Sequence, residues 1–432
     1  MISEVNVKAS RVGESWLQRV ARMMLLVATV IATGCGSGPT PGTSTAATAA
    51  TATTASGPTP ACTAPGGHTP NAKVADSAAP HGLYVLSGAL PLAQSTLGPS
   101  IQQYLVNNPD VCGGSVFVNW GRVDNGPNSN PRYNWAQVDD LITPWAQAHK
   151  TVSIQLGGTG YSGNVLAGVP SWLQPQLQTV TCGSEITPVY WQSAYETNWQ
   201  SFVTTFVQHY ENNPNVTYIH VGVGTGAQTL VVGVKNAPAC LSKWDAAGYE
   251  GQWPTYVTQM ISFVTSLHAP VQLNVSFNDY ANFPTADQIA AADAAAGIGF
   301  GFSGLQSSDA AAYAAHQACG QTGANWCELY DQYAGRMPMF VQTLQASYPG
   351  PGVSGSTPDI QRQMEATGPL QPLLSTALAV HTQIFELYAQ DWLLAFDPSY
   401  PGYDQYHAVY VQALGSAANI VGTAGGTAPS GT

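Results

Sequence analysis

One pattern repeats along most of this chain and restricts its fold more than any single motif. A short apolar segment is followed by a polar loop rich in Gly, Asn and Pro, and then by an amphipathic segment. In one amphipathic segment the apolar residues Trp135, Val138, Leu141, Ile142 and Trp145 recur at intervals of three and four, which predicts a helix. The apolar segments predict eight strands: 82–86, 115–120, 151–156, 216–221, 271–277, 298–303, 337–343 and 382–387.

Strands that alternate with helices predict a parallel sheet, and eight such units close most naturally into a (β/α)8 barrel. An open, doubly wound sheet is the alternative, and it would need a glycine-rich phosphate loop after an early strand. The segment GVGTG at 222–226 lacks the lysine and the spacing of such a loop. We therefore expect a single α/β domain, a TIM barrel over residues 79–425.

The composition limits the partners of this barrel. Only 8% of the residues are charged, against about 25% in ordinary soluble domains, and the net charge is −12 with just 12 Lys and Arg. A basic face for nucleic acid or anionic lipid is therefore not expected. No CxxC motif or His/Cys cluster indicates a metal, and we expect no cofactor. Neutral partners fit this surface better, and carbohydrates are the obvious neutral class.

The N-terminus carries an export signal. Arg19 and Arg22 precede an apolar run at 23–32 that is too short to span a bilayer as a stable anchor. It ends in Ala-Thr-Gly-Cys at 32–35, which resembles the lipobox of bacterial lipoproteins and implies a lipid on Cys35. Ordinary signal cleavage nearby is the alternative. Residues 1–34 are thus expected to be the signal peptide and 35–78, rich in Thr, Ala, Gly and Pro, a flexible linker.

The seven cysteines fit an exported protein. If Cys35 carries lipid, six remain, which is enough for three disulfides, although six cysteines formally allow fifteen pairings. Sequence proximity and positions after predicted strands favour Cys319–Cys327, Cys182–Cys240 and, by remainder, Cys62–Cys112.

Short motifs add a family resemblance. The segments VNWGR (118–122), YNW (133–135) and VDD (138–140), followed by VPSWL (169–173), resemble retaining glycoside hydrolases of the β-galactosidase and cellulase type. The resemblance implies hydrolysis of glycosidic bonds in extracellular oligo- or polysaccharides. It extends, in architecture, over residues 82–414.

Hydrolysis of a glycosidic bond needs a proton donor and a second carboxylate, about 5 Å or 6.5–9.5 Å apart. In a barrel both lie at the C-terminal ends of strands. Glu386 and Asp279 are the best candidates for catalytic residues. Glu386 could instead pair with Arg122 or cap a loop, and Asp279 could form an ordinary Asx turn. The other strand-end carboxylates are Asp124, Glu185, Asp309 and Asp391.

The sequence departs from the family that it resembles at two positions. Those enzymes carry glutamates after the fourth strand and on the seventh, whereas this chain offers Gln228 and Gln342 there. A glutamine can bind a sugar hydroxyl but cannot act as an acid or a nucleophile. Either the catalytic pair has moved to Glu386 and Asp279, or to Glu386 and a loop acid such as Glu185, or this barrel binds glycans without cleaving them.

A row of amides at the strand ends fits both interpretations, because planar amides match the paired donors and acceptors of sugar hydroxyls, although each amide could simply hold a loop. Exposed aromatic residues such as Tyr161 are possible sugar platforms. His220, within the fourth strand, is expected to be a hydrogen-bonded barrel residue rather than a catalytic base. The predicted substrate-binding residues are Asn119, Trp120, Arg122, Gln155, Gln228, Asn278, Gln306, Gln342, Tyr388 and Trp392.

Overall fold

The structure is a computed structural model that describes residues 81–88, 104–161, 165–231, 238–277, 286–319, 325–334 and 336–423. The predicted signal peptide, the linker, Cys35 and Cys62 lie outside these residues. So do Asn278 and Asp279, two of the predicted site residues.

Eight parallel strands form a closed barrel, so the predicted fold class is confirmed. Each strand overlaps one of the eight that the sequence predicts. The bounds are β1 Gly82–Gly88, β2 Gly113–Asn119, β3 Thr151–Gly157, β4 Val216–Val221, β5 Gln272–Phe277, β6 Gly299–Leu305, β7 Met339–Thr343 and β8 Ile384–Tyr388. Around the barrel they follow the order β1-β8-β7-β6-β5-β4-β3-β2.

Helices surround the barrel and bury the apolar faces that their sequences predict. In Ala136–Gln147 the buried residues are Val138, Leu141, Ile142 and Trp145, which match the predicted spacing. This packing forms the main core between strands and helices. The helices are Trp120–Val123, Ala136–Gln147, Ser193–Tyr210, Pro238–Ala246, Tyr249–Ser266, Ala286–Ala296, Ser307–Ala314, Trp326–Tyr333, Pro358–Thr367, Leu370–Ala379, Ala389–Phe396 and Tyr403–Thr423.

Two predicted disulfides are confirmed, Cys182–Cys240 and Cys319–Cys327. The first joins an antiparallel hairpin, Thr179–Cys182 with Glu185–Pro188, to the helix Pro238–Ala246, and so links the excursions that follow β3 and β4. Cys112 is also disulfide-bonded, and its predicted partner lies outside the described residues. No helix within the described ranges is both long and apolar enough to cross a membrane.

The inside of the barrel is apolar near the N-terminal ends of the strands. Tyr84, Tyr218, Phe340 and Ile384 pack there with Cys112 as a cluster distinct from the main core. This cluster packs below the polar side chains that face the C-terminal end of the barrel.

Candidate active site at the barrel mouth

Glu386 lies inside the barrel on β8. Its neighbours in the ladder are Gln342 on β7 and Tyr84 on β1. Side chains alternate along a strand, so Ile384, Glu386 and Tyr388 face inward together. The Glu386 side chain is 0% exposed. The predicted position inside the barrel is therefore observed, although the carboxyl group is covered.

Four side chains donate hydrogen bonds to the Glu386 carboxylate. Oε1 accepts from Tyr218 at 2.5 Å, Ser115 at 2.8 Å and Ser153 at 3.3 Å, and Oε2 accepts from Gln155 Nε2 at 2.8 Å. Burial raises the pKa of Glu386, and these four hydrogen bonds oppose that rise. The network holds the carboxylate from β2, β3 and β4.

A chain of hydrogen bonds connects this buried carboxylate to the mouth. Tyr161 donates to Gln155 Oε1 at 3.1 Å, and Gln155 Nε2 also lies 3.3 Å from Gln342 Oε1. Gln342 in turn donates to the Tyr388 hydroxyl at 3.5 Å. Gln342 and Tyr388 are partly exposed, and Tyr161 is 40% exposed with its ring 4.8 Å from that of Phe117. Polar groups that solvent can reach are thus coupled to Glu386 through Gln155.

The segment after β4 covers the barrel interior, and we call residues 222–230 the plug. Its Gly226 amide donates to Thr159 Oγ1 at 2.9 Å, and its Thr229 amide donates to Ser276 Oγ at 3.2 Å. Ala227 is 0% exposed, and its backbone interacts with both Tyr161 and His220. The plug therefore lies where the resemblance would place the catalytic acid.

Gly226 is required by this arrangement. Its φ of +62° is in the left-handed region, and a Cβ there would lie 2.3 Å from a Tyr161 ring carbon. A glycine at this position lets the plug backbone approach the Tyr161 ring closely.

His220 lies on β4, paired with Gln155 on β3 and Asn274 on β5. Its ring is 4.7 Å from that of Phe340 and is 1% exposed. Burial lowers the pKa of His220 to about 3, which the backbone of Ala227 opposes. Neither ring nitrogen has a partner of ordinary hydrogen-bonding geometry within the described residues, and the backbone of Ala227 supplies the hydrogen-bonding contact that opposes the fall in the pKa.

Most other strand-end carboxylates have structural partners. Asp124 accepts from both Nε and Nη2 of Arg132 at 3.1 Å and from Trp120 Nε1 at 3.2 Å. Asp309 forms a capping box with Gln306 and accepts from Trp326 Nε1 at 3.3 Å. Both groups therefore stabilise loops.

Asp391 lies one turn into the helix after β8 and is 1% exposed. Its Oδ1 accepts from the amide and hydroxyl of Ser347 at 2.8 and 2.6 Å, whereas Oδ2 has no partner among the described residues. Burial raises the pKa of Asp391 to about 6, opposed by those bonds. Glu185 lies half-buried on the hairpin after β3, where burial raises its pKa.

The predicted binding residues fall into two groups. Gln155, Gln342 and Tyr388 meet around Glu386, with Gln228 in the adjacent plug. Of the others, Asn278 lies outside the described residues. Asn119 and Gln306 are helix N-caps, Arg122 is exposed, and Trp120 and Trp392 are 0% exposed in the core between strands and helices.

The residues that sequence reasoning missed are the hydroxyl donors to Glu386. Ser115, Ser153 and Tyr218 lie two positions before Phe117, Gln155 and His220 on their strands, so the same faces turn inward. That period of two was visible in the sequence. The sequence alone does not show which face of each strand points into the barrel, because that depends on the strand register.

No group of three or more His, Cys, Asp or Glu side chains in the described ranges could hold a metal ion. Comparison with known proteins finds no matching family model and no matching curated protein. Solved structures with a similar barrel include an endo-β-1,4-xylanase of glycoside hydrolase family 10 from Gloeophyllum trabeum, with a TM-score of 0.45, 13% identity and coverage of 80% of this chain and 99% of that one.

A β-galactosidase from Rahnella sp. R3 is also similar, with a TM-score of 0.47 and 11% identity over 79% of this chain and 57% of that one. An intracellular xylanase from Thermoanaerobacterium saccharolyticum gives a TM-score of 0.40 and 10% identity over 71% of this chain and 85% of that one. At these identities the likeness concerns the fold alone: the chain is a closed (β/α)8 barrel.

Proposed function

We propose that this barrel binds a neutral carbohydrate at its C-terminal mouth without cleaving it. The observation that carries the proposal is the hydrogen-bonded chain from Tyr161 through Gln155 to Glu386, continued by Gln342 and Tyr388. It presents amide and phenol groups at a mouth where Glu386 is buried. Such groups both donate and accept, as sugar hydroxyls do.

The geometry favours binding over hydrolysis. Both oxygens of Glu386 accept hydrogen bonds, and the group is fully buried, so it cannot reach a glycosidic oxygen in this arrangement. Hydrolysis would also need a second carboxylate about 5 Å or 6.5–9.5 Å away. Among the described strand-end acids, Asp124, Asp309 and Asp391 are engaged in holding loops, and Glu185 lies on the hairpin after β3.

Hydrolysis with Glu386 and Asp279 is the second candidate function. It is supported by the raised pKa of Glu386 near the end of β8, since a general acid needs a raised pKa. This function would require the plug to move away from the barrel interior.

Export belongs to the same proposal. The two disulfides fit an oxidising compartment. We propose that Cys35 is acylated and that residues 35–78 tether the barrel to the outside of a membrane, with ordinary secretion as the alternative. Mass spectrometry of the mature N-terminus separates a lipid-modified Cys35 from an unmodified cleavage product.

A glycan array with a parallel assay for released reducing sugar tests the function. We expect binding without release, and binding with release would favour the hydrolase. Tyr161→Phe removes the bond to Gln155 and should weaken binding about 5-fold, the equivalent of about 1 kcal/mol.

Tyr210→Phe is the matched control, because its hydroxyl bonds Asp139 between two outer helices. It should bind as the unmodified chain does. Failure of the chain to bind any glycan on the array, or equal loss in both variants, would contradict the proposal.

A further inference from the structure

Several buried polar atoms in the plug and on the neighbouring strands β4 and β5 have no partner of ordinary hydrogen-bonding geometry among the described residues. These atoms are both ring nitrogens of His220 and Nδ2 of Asn274 on the strands, and Oγ1 of Thr229 within the plug. His220 and Thr229 are 1% and 0% exposed, and Asn274 is 0% exposed. A buried polar group without a partner destabilises the fold, and native proteins rarely leave several together.

These atoms belong to one part of the barrel. His220 and Asn274 are paired neighbours on β4 and β5, and the next inward residue on β5 is Ser276. Ser276 contacts the plug, because its Oγ donates to the Ala227 carbonyl at 3.5 Å and accepts from the Thr229 amide. The plug backbone therefore lies against His220 and Ser276, and Ser276 is two residues along β5 from Asn274.

The chemistry of these groups defines what could replace the plug. A neutral imidazole offers one donor and one acceptor, the Asn274 amide offers a donor, and Ser276 offers a hydroxyl that does both. An anion would face the Glu386 carboxylate, and a cation would meet mainly donors. A neutral group with several hydroxyls satisfies the set.

We propose that the plug occupies an inner subsite for the terminal sugar ring of a glycan, and that ligand binding displaces residues 222–230 from His220 and Ser276. This inference rests on the proposed carbohydrate-binding function. The barrel is filled below by Tyr84, Tyr218, Phe340 and Ile384, so the subsite is closed at its inner end. Only the terminal sugar of a glycan fits a subsite with a closed end.

The plug has the features of a segment that can be displaced. Three glycines, Gly222, Gly224 and Gly226, alternate along it, and the residue that it places beside Tyr161, His220 and Ser276 is the small Ala227. Hydrogen bonds to Thr159 and Ser276, which sugar hydroxyls can replace, attach this part of the plug to the barrel, whereas Val223 packs in the main core. Cys182–Cys240 anchors the excursion beyond the plug, which keeps the displaced segment near the mouth.

Hydrogen–deuterium exchange of the full chain tests the plug without any ligand. The amides of Gly226 and Thr229 should exchange at least 10-fold faster than that of Ile219 in β4, through local opening. Addition of xylotriose, cellotriose or lactose should increase exchange of the plug further if that sugar binds. Exchange of the plug only at the rate of global unfolding would overturn the proposal.

The variant His220→Leu supplies the second measurement. Leucine is similar in size to histidine but lacks the two ring nitrogens. The substitution should therefore leave the Tm unchanged or higher at neutral pH, and should weaken glycan binding at least 10-fold. Tyr256→Phe is the matched control, since it removes an unpartnered buried hydroxyl from an outer helix. It should also keep or raise the Tm while binding stays unchanged.

These results separate the two proposals. If Tyr161→Phe weakens binding and His220→Leu does not, the mouth binds carbohydrate and the inner subsite is wrong. A clear fall in Tm for His220→Leu also overturns the inference, because it would show that the ring nitrogens are satisfied in the closed state. If no glycan binds, the proposed function fails, and exchange of the plug still reports whether it opens.

Discussion

Glu386 and His220 are both buried inside the barrel, yet their surroundings are opposite. Glu386 on β8 accepts four hydrogen bonds from three strands, whereas His220 on β4 has no hydrogen-bond partner for either nitrogen within the described residues. Burial raises the pKa of the first and lowers the pKa of the second. Only the Glu386 side of the interior is a complete polar network.

The difference indicates two roles for buried polar groups in one barrel. A fully satisfied network fixes a single arrangement and orders the strands that supply it. A set of buried groups without hydrogen-bond partners destabilises the arrangement in which the plug lies in the barrel, relative to one in which a ligand supplies those partners. Asp391 is an intermediate case, because one of its oxygens accepts two hydrogen bonds and the other has no described partner.

The largest effect is expected for Glu386→Leu. The change leaves Ser115, Ser153, Gln155 and Tyr218 without their shared acceptor and should lower the free energy of unfolding by about 3–5 kcal/mol. Urea denaturation at pH 7 measures it. The exposed variant Glu365→Leu should change stability by less than about 0.5 kcal/mol. Equal stability of the two variants would mean that the network around Glu386 is not structural.

His220 should dominate the acid sensitivity of the fold. Its pKa is about 3 in the folded chain and about 6.5 when unfolded, so the unfolded chain binds more protons between these values. Stability is therefore lost as pH falls from about 6.5 towards 3, by about 3 kcal/mol at pH 4. Urea titrations of the His220→Leu variant between pH 4 and 7 should show no such loss of stability.

The exposed His209→Leu is the control and should keep the pH dependence of the unmodified chain. If the His220→Leu variant also keeps this pH dependence, the imidazole is not buried in its neutral form, and the contrast with Glu386 disappears.

Asp391 should give a smaller dependence of the opposite sign. Its folded pKa of about 6 lies above its unfolded value of 3.8, so the folded chain binds more protons between them. Its contribution to stability falls as pH rises through this window, by about 2 kcal/mol between pH 4 and 7. Asp391→Asn should remove that decline in the same titrations, while Asp359→Asn, at an exposed position, should not.

The smallest expected effect lies within the Glu386 network. The longest of the four hydrogen bonds to Glu386 comes from Ser153, at 3.3 Å, and the bond from Ser115 measures 2.8 Å. Ser153→Ala should therefore destabilise the fold by about 0.5 kcal/mol and Ser115→Ala by about 1 kcal/mol. Urea titration at pH 7 measures both. The reverse order would mean that these distances do not rank the contributions of the donors.

The sequence predicted the barrel well because its signals are local. All eight strands follow from apolar segments and helical spacing, Cys319–Cys327 from the proximity of the two cysteines, and Cys182–Cys240 from their positions after two predicted strands. The position of Glu386 inside the barrel was also predicted, because a carboxylate near the end of an apolar strand is unusual, and its role in the site stays a prediction.

The rest of the site depends on features that span the whole chain. Trp120 and Trp392 follow strands directly, but each lies in a helix whose buried face points to the core, so neither reaches the mouth. Asn119 and Gln306 are caps, a role that a strand-end amide shares with sugar binding. The donors to Glu386 required strand register, and the plug required knowing that a glycine-rich segment folds into the barrel rather than away from it.

The most direct test of the contrast between the two sides is a crystal structure of the full chain with the oligosaccharide that binds best on the array. The account predicts a sugar ring in contact with Gln342 and Tyr388, residues 222–230 displaced, His220 hydrogen-bonded to the ligand, and the four bonds to Glu386 intact. A ligand bound elsewhere, or bound at the mouth with Ala227 still against His220 and Ser276, would contradict it.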